Sequence, residues 1–321
     1  MSEVTKPLMT DETGEKIVTA LREVAYKDAS GMNVNNSPAL TDYLFGIGSE
    51  ANYKTFVSDV AKTIIEEYAS SNLAGSNQSL KSALDALNSN LMSGTAGFSN
   101  SIFRGKNLGT SFTAAQSTAI KAGNFADIMV GDYWTLGGKV YRIAGVDLAY
   151  RCGDTSLDTH HVVVVPDANM YSAAMNDTNT TEGGYVGSAM RTTNLAEATN
   201  TFISAFGDTH VLTYRDFLTN ATKDGKASGW AWTDCRVELM SEIMVYGCNI
   251  WSQSTAGYEG GIFHEQFPLF RLDATKANIR ANWWLRGIYS ATTFARASNA
   301  GYAANYGASN SFGVRPFALI A

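Results

Sequence analysis

The sequence has little charge and no concentration of positive charge. Lysine, arginine, aspartate and glutamate together make up 17% of its 321 residues, whereas about a quarter is usual in soluble domains. The formal net charge is −6, and no stripe of lysine and arginine occurs along the chain. A nucleic-acid-binding protein needs a basic face that neutralises phosphates. The composition therefore argues against a nucleic-acid partner.

Long apolar runs are also missing. The longest strongly apolar run is Val162–Val165, whereas a membrane-spanning helix needs about 20 apolar residues. The first ten residues lack the apolar core of a secretory signal. We therefore expect no membrane insertion and a chain that is made as a soluble cytosolic protein. If the protein acts outside a cell, it must leave by another route.

Cysteine and proline are scarce. The three cysteines are far apart and form no Cys-x-x-Cys motif: Cys152, Cys235 and Cys248. This pattern predicts buried free thiols and not a disulfide framework. The chain contains 29 glycines and 45% apolar residues, so we expect a loop-rich fold with many tight turns around a sizeable core.

The first 92 residues show helical periodicity. Apolar residues recur at helical spacing between residues 17 and 25 and again within Asn52–Ser70. In Ser79–Met92, four leucines step by 4, 3 and 4 residues, which is the spacing of coiled-coil core positions. We predict a helical attachment and oligomerisation region over residues 1–92. A helical bundle within one chain is the alternative interpretation of the same leucines.

A linker and an α+β domain are predicted to follow. Residues 93–124 begin with a segment rich in Gly, Ser and Asn, which indicates a partly ordered linker. Beyond it, Gly137-Gly138 separates two β-rich runs and indicates a hairpin. His161–Pro166 indicates a short buried strand. Because no βαβ alternation occurs, we predict an irregular α+β domain over residues 125–321 and not a doubly wound parallel sheet.

No residue pattern indicates catalysis or a metal site. His160 and His161 are neighbours on a predicted strand, so their side chains point to opposite faces and do not chelate one ion. The pair His264-Glu265 has Pro268 where a His-Glu-x-x-His zinc motif needs histidine. No nucleophile elbow, P-loop or dinucleotide-binding glycine pattern occurs. We therefore expect no metal, no cofactor and no enzymatic activity.

The C-terminal stretch Trp283–Ala321 has a different composition. Its two ends, Trp283–Gly287 and Gly313–Ile320, have the composition of a core framework. The residues between them are mostly Tyr, Ser, Thr, Asn, Ala and Gly. Their apolar residues do not recur with the spacing of a strand or helix that buries one face. Antibody-type binding sites have this composition, because tyrosine offers a large contact area at low entropic cost. An ordinary Gly/Asn-rich loop is the alternative interpretation.

We predict the ligand-binding residues from this stretch. They are Tyr289, Ser290, Thr292, Thr293, Phe294, Arg296, Ser298, Asn299, Tyr302, Asn305, Tyr306, Ser309 and Asn310. Four framework residues bracket them: Trp283, Trp284, Arg286 and Arg315. We expect at least one of the two tryptophans to pack in the core. The two arginines should make internal hydrogen bonds or ion pairs, since the guanidinium fork suits bidentate partners.

The order of several short motifs resembles a bacterial and phage domain family. These motifs are Trp284-Leu285-Arg286 before Gly313-Val314-Arg315-Pro316, Gly131–Thr135 with Tyr141–Ile143, and Ser188–Arg191 with Leu195. The family is related to the formylglycine-generating-enzyme variant of the C-type lectin fold. The resemblance covers about Phe125–Ala321. It implies a C-type-lectin-like domain preceded by the helical N-terminal region.

The resemblance also implies a role on the surface of a phage virion. Such domains often sit at the end of tail or head fibres, so we expect the N-terminal region to contact other virion proteins and to form a homotrimer. The C-terminal surface would bind a host-cell protein or glycan. This fold variant is the usual target of diversity-generating retroelements, which convert asparagine codons into codons for Tyr, Ser, Thr, Ala, Asp and Phe. Residues 288–310 contain such a set.

The chain departs from other relatives of this fold. It lacks the Glu-Pro-Asn, Gln-Pro-Asp and Trp-Asn-Asp motifs of calcium-dependent sugar-binding lectins. No cysteine follows Cys248, so the cysteine pair near the C-terminus of formylglycine-generating enzymes is missing. Two alternatives to a receptor-binding protein remain. One is a structural head-decoration or fibre protein without a specific ligand, and the other is a formylglycine-type modifying enzyme.

Overall fold

The computed structural model describes residues 94–257 and 260–321. The helices predicted within residues 1–92, with their attachment and oligomerisation role, lie outside these residues. The described part is a mixed α+β fold, as the sequence predicts, in which strands outnumber helices. None of the helices in this part has the length and the apolar character that crossing a membrane requires.

Five antiparallel strands form the first sheet, in the spatial order β1-β2-β3-β12-β7. Their bounds are Tyr133–Leu136 (β1), Lys139–Val146 (β2), Val162–Pro166 (β3), Val237–Leu239 (β7) and Pro316–Ile320 (β12). The predicted hairpin joins β1 to β2, and Gly137 and Gly138 form its turn with φ angles of +54° and +75°. Side chains other than glycine rarely adopt these angles, so the Gly-Gly pair determines where the chain reverses.

The second sheet contains most of the C-terminal stretch, in the order β10-β9-β8-β11-β4. Its strands are Tyr171–Ala173 (β4), Trp283–Ser290 (β8), Thr293–Ala297 (β9), Ala303–Gly307 (β10) and Phe312–Val314 (β11). β8 and β11 run parallel, and the other neighbours run antiparallel. β8, β9 and β10 therefore form a meander that ends on β10 at one edge of the sheet.

A separate hairpin and five α-helices account for most of the remaining regular structure in the described residues. The hairpin consists of β5 (Tyr214–Lys223) and β6 (Lys226–Cys235). The helices are α1 (Ala96–Ser99), α2 (Ala114–Lys121), α3 (Leu195–Phe206), α4 (Glu242–Tyr246) and α5 (Pro268–Leu272). The apolar face of α3 packs on the first sheet: the rings of Phe202 and Phe206 each lie 5.2 Å from the ring of Tyr141.

Residues 94–124 are integrated into the domain, which differs from the linker predicted there. Two backbone bridges connect this segment to the start of the first sheet, Phe103 to Val130 and Asn107 to Tyr133. Thr113 caps α2, and Ile120 of α2 is fully buried. The buried carboxylate of Asp132 binds the Arg104 guanidinium at 2.6 Å and the Lys106 N–H at 2.8 Å. These partners are distant in sequence, so the local composition does not reveal them.

Arg315 stands between the two sheets. It separates β11 from β12, so the chain leaves the second sheet and enters the first at this residue. Its buried Nε donates to the carbonyl oxygen of Pro166 at 2.8 Å, and its Nη1 donates to that of Lys276 at 2.9 Å. The guanidinium also lies over the rings of Trp283 (5.0 Å) and Phe270 (5.6 Å). Burial lowers the pKa of Arg315 to about 10, so the side chain stays charged at neutral pH.

His161, immediately before β3, is fully buried. Its Nδ1 lies 3.0 Å from the carbonyl oxygen of Thr159, and its Nε2 lies 3.2 Å from the amide nitrogen of Ala149. This network assigns the proton to Nδ1 of a neutral ring. The backbone N–H of His161 donates to Asp147, whose other oxygen is 2.6 Å from Nδ1 of His160. Burial lowers the pKa of His161.

Acidification will destabilise the domain through His161. Its pKa in the folded state lies below the value of about 6.5 for an unfolded histidine, so the unfolded chain binds more protons between the two values. The free energy of unfolding should therefore fall as the pH drops below about 6.5, by up to about 1.4 kcal/mol per pH unit for one group. Urea denaturation of the wild type and of His161→Gln between about pH 5 and pH 8 measures this contribution.

His264→Gln is the matched control, because His264 is exposed. This control should retain the wild-type pH dependence. His161→Gln should be less stable at neutral pH and should lose part of the decline at low pH. Identical pH slopes for the wild type and His161→Gln would contradict the role of His161.

Candidate binding surface

The predicted ligand-binding residues lie along the whole β9–β10 hairpin and in the turns at its two ends. One group lies around the β8–β9 and β10–β11 turns: Tyr289, Ser290, Thr292, Thr293, Ser309 and Asn310. The other group lies on β9, on β10 and on the loop between them: Phe294, Arg296, Ser298, Asn299, Tyr302, Asn305 and Tyr306. With a rise of about 3.3 Å per residue along β9, the two ends are separated by roughly 16 Å.

Two of these residues are buried, which corrects their prediction as ligand contacts. Phe294 is fully buried in the core. Ser298 is 2% exposed, and its hydroxyl accepts a hydrogen bond from the N–H of Ala300 at 3.1 Å. Its own N–H donates to the carbonyl oxygen of Tyr302 at 2.9 Å. Phe294 therefore stabilises the core, and Ser298 closes the β9–β10 loop.

The four framework residues are all buried and attach β8 to its surroundings. Nε1 of Trp284 donates to the carbonyl oxygen of Ala173 in β4 at 2.9 Å. Arg286 forms a buried ion pair with Asp216 of β5, with an Nη1–Oδ2 distance of 2.8 Å. Oδ1 of Asp216 accepts the N–H of Ile262 at 2.8 Å. These contacts connect the meander to the edge strand β4 and to the β5–β6 hairpin.

An aromatic–arginine column rises from the core to the surface; it consists of Trp284, Phe312, Arg296 and Tyr306. The ring centroids of Trp284 and Phe312 are 5.0 Å apart. Cζ of Arg296 lies 5.0 Å from the Phe312 ring centroid and 5.6 Å from that of Tyr306. Cation–π contacts of this kind restrain a guanidinium. The column therefore presents Arg296 on a rigid support.

Tyr302 and Tyr306 are the most exposed aromatic side chains in the described part of the chain, at 61% and 48%. Strand alternation places Ala304 and Tyr306 on one face of β10, and Arg296 of β9 is directly opposite Ala304. Ala304 has only a methyl group and lies between the two larger tyrosines in sequence, so we name this part of the surface the recess. We define the recess by Tyr302, Ala304, Tyr306 and Arg296.

The end of the surface at the β8–β9 and β10–β11 turns includes residues that the sequence did not predict. Oδ1 of Asn179 accepts hydrogen bonds from the N–H and the hydroxyl of Ser309, at 3.0 and 2.9 Å. The hydroxyl of Thr181 donates to the carbonyl oxygen of Ser290 at 2.9 Å. Gly225, at the tip of the β5–β6 hairpin, approaches the β8–β9 turn so closely that an added Cβ would lie 2.7 Å from its backbone. Three segments that are distant in sequence thus form this end of the surface.

A buried carboxylate holds the loop around Trp251, here named the Trp251 loop. Glu242 of α4 is fully buried, and its oxygens accept the N–H groups of Trp251 at 3.0 Å and of Ser252 at 2.6 Å. Nε1 of Trp251 donates to the carbonyl oxygen of Ala303 in β10 at 2.9 Å, and its ring lies edge-on to Tyr289 at 5.1 Å. Glu242 therefore fixes a tryptophan beside the edge strand of the surface.

Nucleophilic or metal chemistry would require the cysteines or groups of His, Cys, Asp and Glu side chains. All three cysteines are free. Cys235 is buried, and burial raises the pKa of its thiol, which makes it a poor nucleophile at neutral pH. Within residues 94–257 and 260–321, no group of three or more His, Cys, Asp or Glu side chains is arranged to hold a metal ion.

Glu242→Gln should release the Trp251 loop. The glutamine amide places an N–H₂ group against backbone N–H donors, so at least one buried donor loses its acceptor, which costs about 1–3 kcal/mol. We expect the free energy of unfolding to fall by about that amount. Amide hydrogen exchange at Trp251 and Ser252 should become faster. Glu265→Gln is the control, because Glu265 is exposed; unchanged exchange in Glu242→Gln would contradict the role of Glu242.

No protein-family model, no curated protein and no solved structure matches this chain.

Proposed function

We propose that this protein is a receptor-binding protein on the surface of a phage virion and that its C-terminal surface binds a host-cell protein or glycan. The observation that carries the proposal is the position of Tyr302 and Tyr306. These exposed aromatic side chains lie at the edge of a sheet whose other aromatic side chains are buried or partly buried. Exposed aromatic clusters mark interaction sites, and tyrosine is enriched among residues that dominate binding energy.

The rest of the surface has the form expected of a binding site on a rigid scaffold. The turn and loop residues Thr292, Asn299 and Ser309 are exposed and polar. The strands below them are held by buried framework side chains. Binding residues are commonly found on such loops, because a loop can change while the scaffold is retained. The proposal therefore assigns recognition to the exposed residues and stability to the buried ones.

We further propose that the domain has a C-type-lectin-like fold. The arginines of the motifs that resemble the family form buried contacts within the domain, and these contacts support the assignment. Arg191 of the Ser-x-Met-Arg motif pairs with buried Glu238 at 2.9 Å. Arg286 of the Trp-Leu-Arg motif pairs with buried Asp216. Arg315 joins the two sheets. Each motif arginine thus stabilises a packing contact between distant segments.

The remaining parts of the proposal concern assembly. The protein is made in the host cytoplasm, and residues 1–92 attach it to other virion proteins and form a homotrimer. Several copies on one virion would raise the apparent affinity of a weak single contact. The surface binds its ligand without catalysing a reaction.

Replacing Tyr302 and Tyr306 together by alanine should abolish most of the adsorption. Virions that carry the double variant should bind host cells at least about 30-fold more weakly, as expected when residues that dominate binding are truncated. The free energy of unfolding should fall by no more than about 2 kcal/mol, because Tyr302 is largely exposed and the half-exposed Tyr306 loses only its contacts with Phe312 and Arg296. Adsorption assays and urea denaturation measure the two effects.

Light scattering on the full chain tests the homotrimer.

Trp232→Ala is the matched control. Trp232 is also an exposed aromatic residue, at 39%, but it lies on β6, outside the meander. This variant should adsorb like the wild type. Normal adsorption of the tyrosine double variant would instead support a structural head-decoration or fibre protein. Loss of adsorption in the control alone would place the binding site on the β5–β6 hairpin.

We also propose that a diversity-generating retroelement alters residues 288–310. In that case the neighbouring DNA should contain a reverse transcriptase gene and a near-copy of the 3′ end of this gene. Sister genes should differ at exposed positions such as Tyr302 and Tyr306. They should agree at Phe294 and Ser298, because changes at these buried residues would disrupt packing. Sequencing tests this; substitutions spread evenly over the gene would contradict it.

A further inference from the structure

We infer that the recess recognises a carboxylate group of a protein partner and that Arg296 is the residue that binds it. The recess consists of Tyr302, Ala304, Tyr306 and Arg296, as defined above. This inference rests on the proposed function, since it names the chemistry of the ligand at the same surface.

Arg296 has hydrogen-bonding capacity that the described residues leave unused. A guanidinium carries five N–H donors. Nη1 of Arg296 donates to Oδ1 of Asn282. Nε is buried and has no hydrogen-bond partner among the described residues. Nη2 is not among the buried atoms and forms no hydrogen bond with the described residues, so its two N–H groups are the donors that a ligand can reach.

Other buried or partly buried arginines differ from Arg296. Arg104, Arg142, Arg191 and Arg286 each form an ion pair with an aspartate or glutamate. For Arg296, the structure shows two aromatic rings and one amide oxygen. Among the described residues no acidic side chain pairs with it. Its positive charge is therefore available to a partner.

The partly exposed position of Arg296 makes this charge accessible, which distinguishes it from Arg315. Arg315 is fully buried and donates to two carbonyl oxygens inside the domain. Arg296 is partly exposed, lies against the rings of Phe312 and Tyr306 in the aromatic–arginine column, and is directly opposite the small side chain of Ala304. A group that enters the recess beside Ala304 therefore meets the guanidinium.

The shape of the recess favours an acidic side chain of a protein. Tyr302 and Tyr306 are four residues apart, a span of about 13 Å along a strand. This space between two rings admits a single side chain. Carboxylates match the guanidinium fork in two parallel hydrogen bonds. Tyrosine and arginine are also the residues that dominate protein–protein interfaces, so an aspartate or glutamate on a host-surface protein is the partner that fits best.

The first test removes the charge of Arg296. Virions with Arg296→Gln should bind intact host cells at least about tenfold more weakly than wild-type virions. Arg296→Lys should lose less, because the charge remains while the fork is lost. Wild-type binding should weaken as salt increases, and this dependence should be smaller in Arg296→Gln.

Arg280→Gln is the matched control. Arg280 is exposed and precedes β8, so this variant removes one positive charge outside the recess. It should bind cells like the wild type. Equal loss in Arg280→Gln and Arg296→Gln would overturn the inference, because a general charge effect would then explain both. Unchanged binding in Arg296→Gln would overturn it as well.

The second test changes the host cells and requires no variant, so it stays informative if Arg296→Gln fails to fold. Amidation of cell-surface carboxylates with a carbodiimide and an amine should abolish wild-type binding. Proteinase K treatment of the cells should also abolish it, whereas periodate oxidation of sugars should not. Loss after periodate but not after proteinase K would assign the carboxylate to an acidic sugar and overturn the choice of a protein. Full binding to amidated cells would overturn the inference altogether.

Failure of this inference can be distinguished from failure of the proposed function. If the Tyr302→Ala/Tyr306→Ala variant loses adsorption and Arg296→Gln does not, the surface binds a ligand without using a carboxylate. If neither variant loses adsorption, the surface is not the binding site, and the proposed function fails with the inference.

Discussion

The architecture depends on the buried guanidinium of Arg315, which lies where the chain crosses from one sheet to the other. Its donors bind carbonyl oxygens at the end of β3 and in the segment before β8, and its flat face lies on Trp283 and Phe270. Gly313 makes the crossing possible, because an added Cβ would lie 1.8 Å from the side chain of Asn169. In the Gly-Val-Arg-Pro motif, the glycine lets the Asn169 side chain approach the backbone closely, the arginine is a buried cation with two hydrogen-bonded nitrogens, and the proline begins strand β12.

The position of the binding surface follows from this constraint. β8 is held by its two tryptophans and by the Arg286–Asp216 pair, whereas β10 forms the edge of its sheet farthest from β4. Changes at the exposed positions of β10 therefore leave the packing contacts of β8 intact. Glu242 adds a second restraint, because it positions Trp251 against the β10 edge from outside the meander. The result is a rigid support beneath exposed tyrosines and a partly exposed arginine.

Some of the fold and of the candidate site could be predicted from local sequence. The Gly137-Gly138 hairpin and the α+β class follow from turn chemistry and strand-like runs, which are local properties. The segment 94–124 could not be predicted in this way, because its stability comes from Asp132 and from backbone bridges to β1. Phe294 and Ser298 were predicted as ligand contacts from composition, but core packing buries Phe294 and the hydrogen-bonded β9–β10 loop buries Ser298. Asn179, Glu242 and Trp251 carry no sequence signal for this surface, since their partners are distant along the chain.

The sequence by itself determined the position of the Gly137-Gly138 turn, the low charge and the division of the C-terminal stretch into an apolar framework and a Tyr/Ser/Asn segment. Each of these is a property of neighbouring residues. Only the tertiary structure decided which residues of that segment face outwards, because exposure depends on strand register and on the segments that cover each face. It also decided that Arg296 stacks on Phe312 and Tyr306, whereas Arg286 pairs with Asp216. Both residues are arginines of the same C-terminal stretch, so their different environments arise from contacts with segments that are distant along the chain.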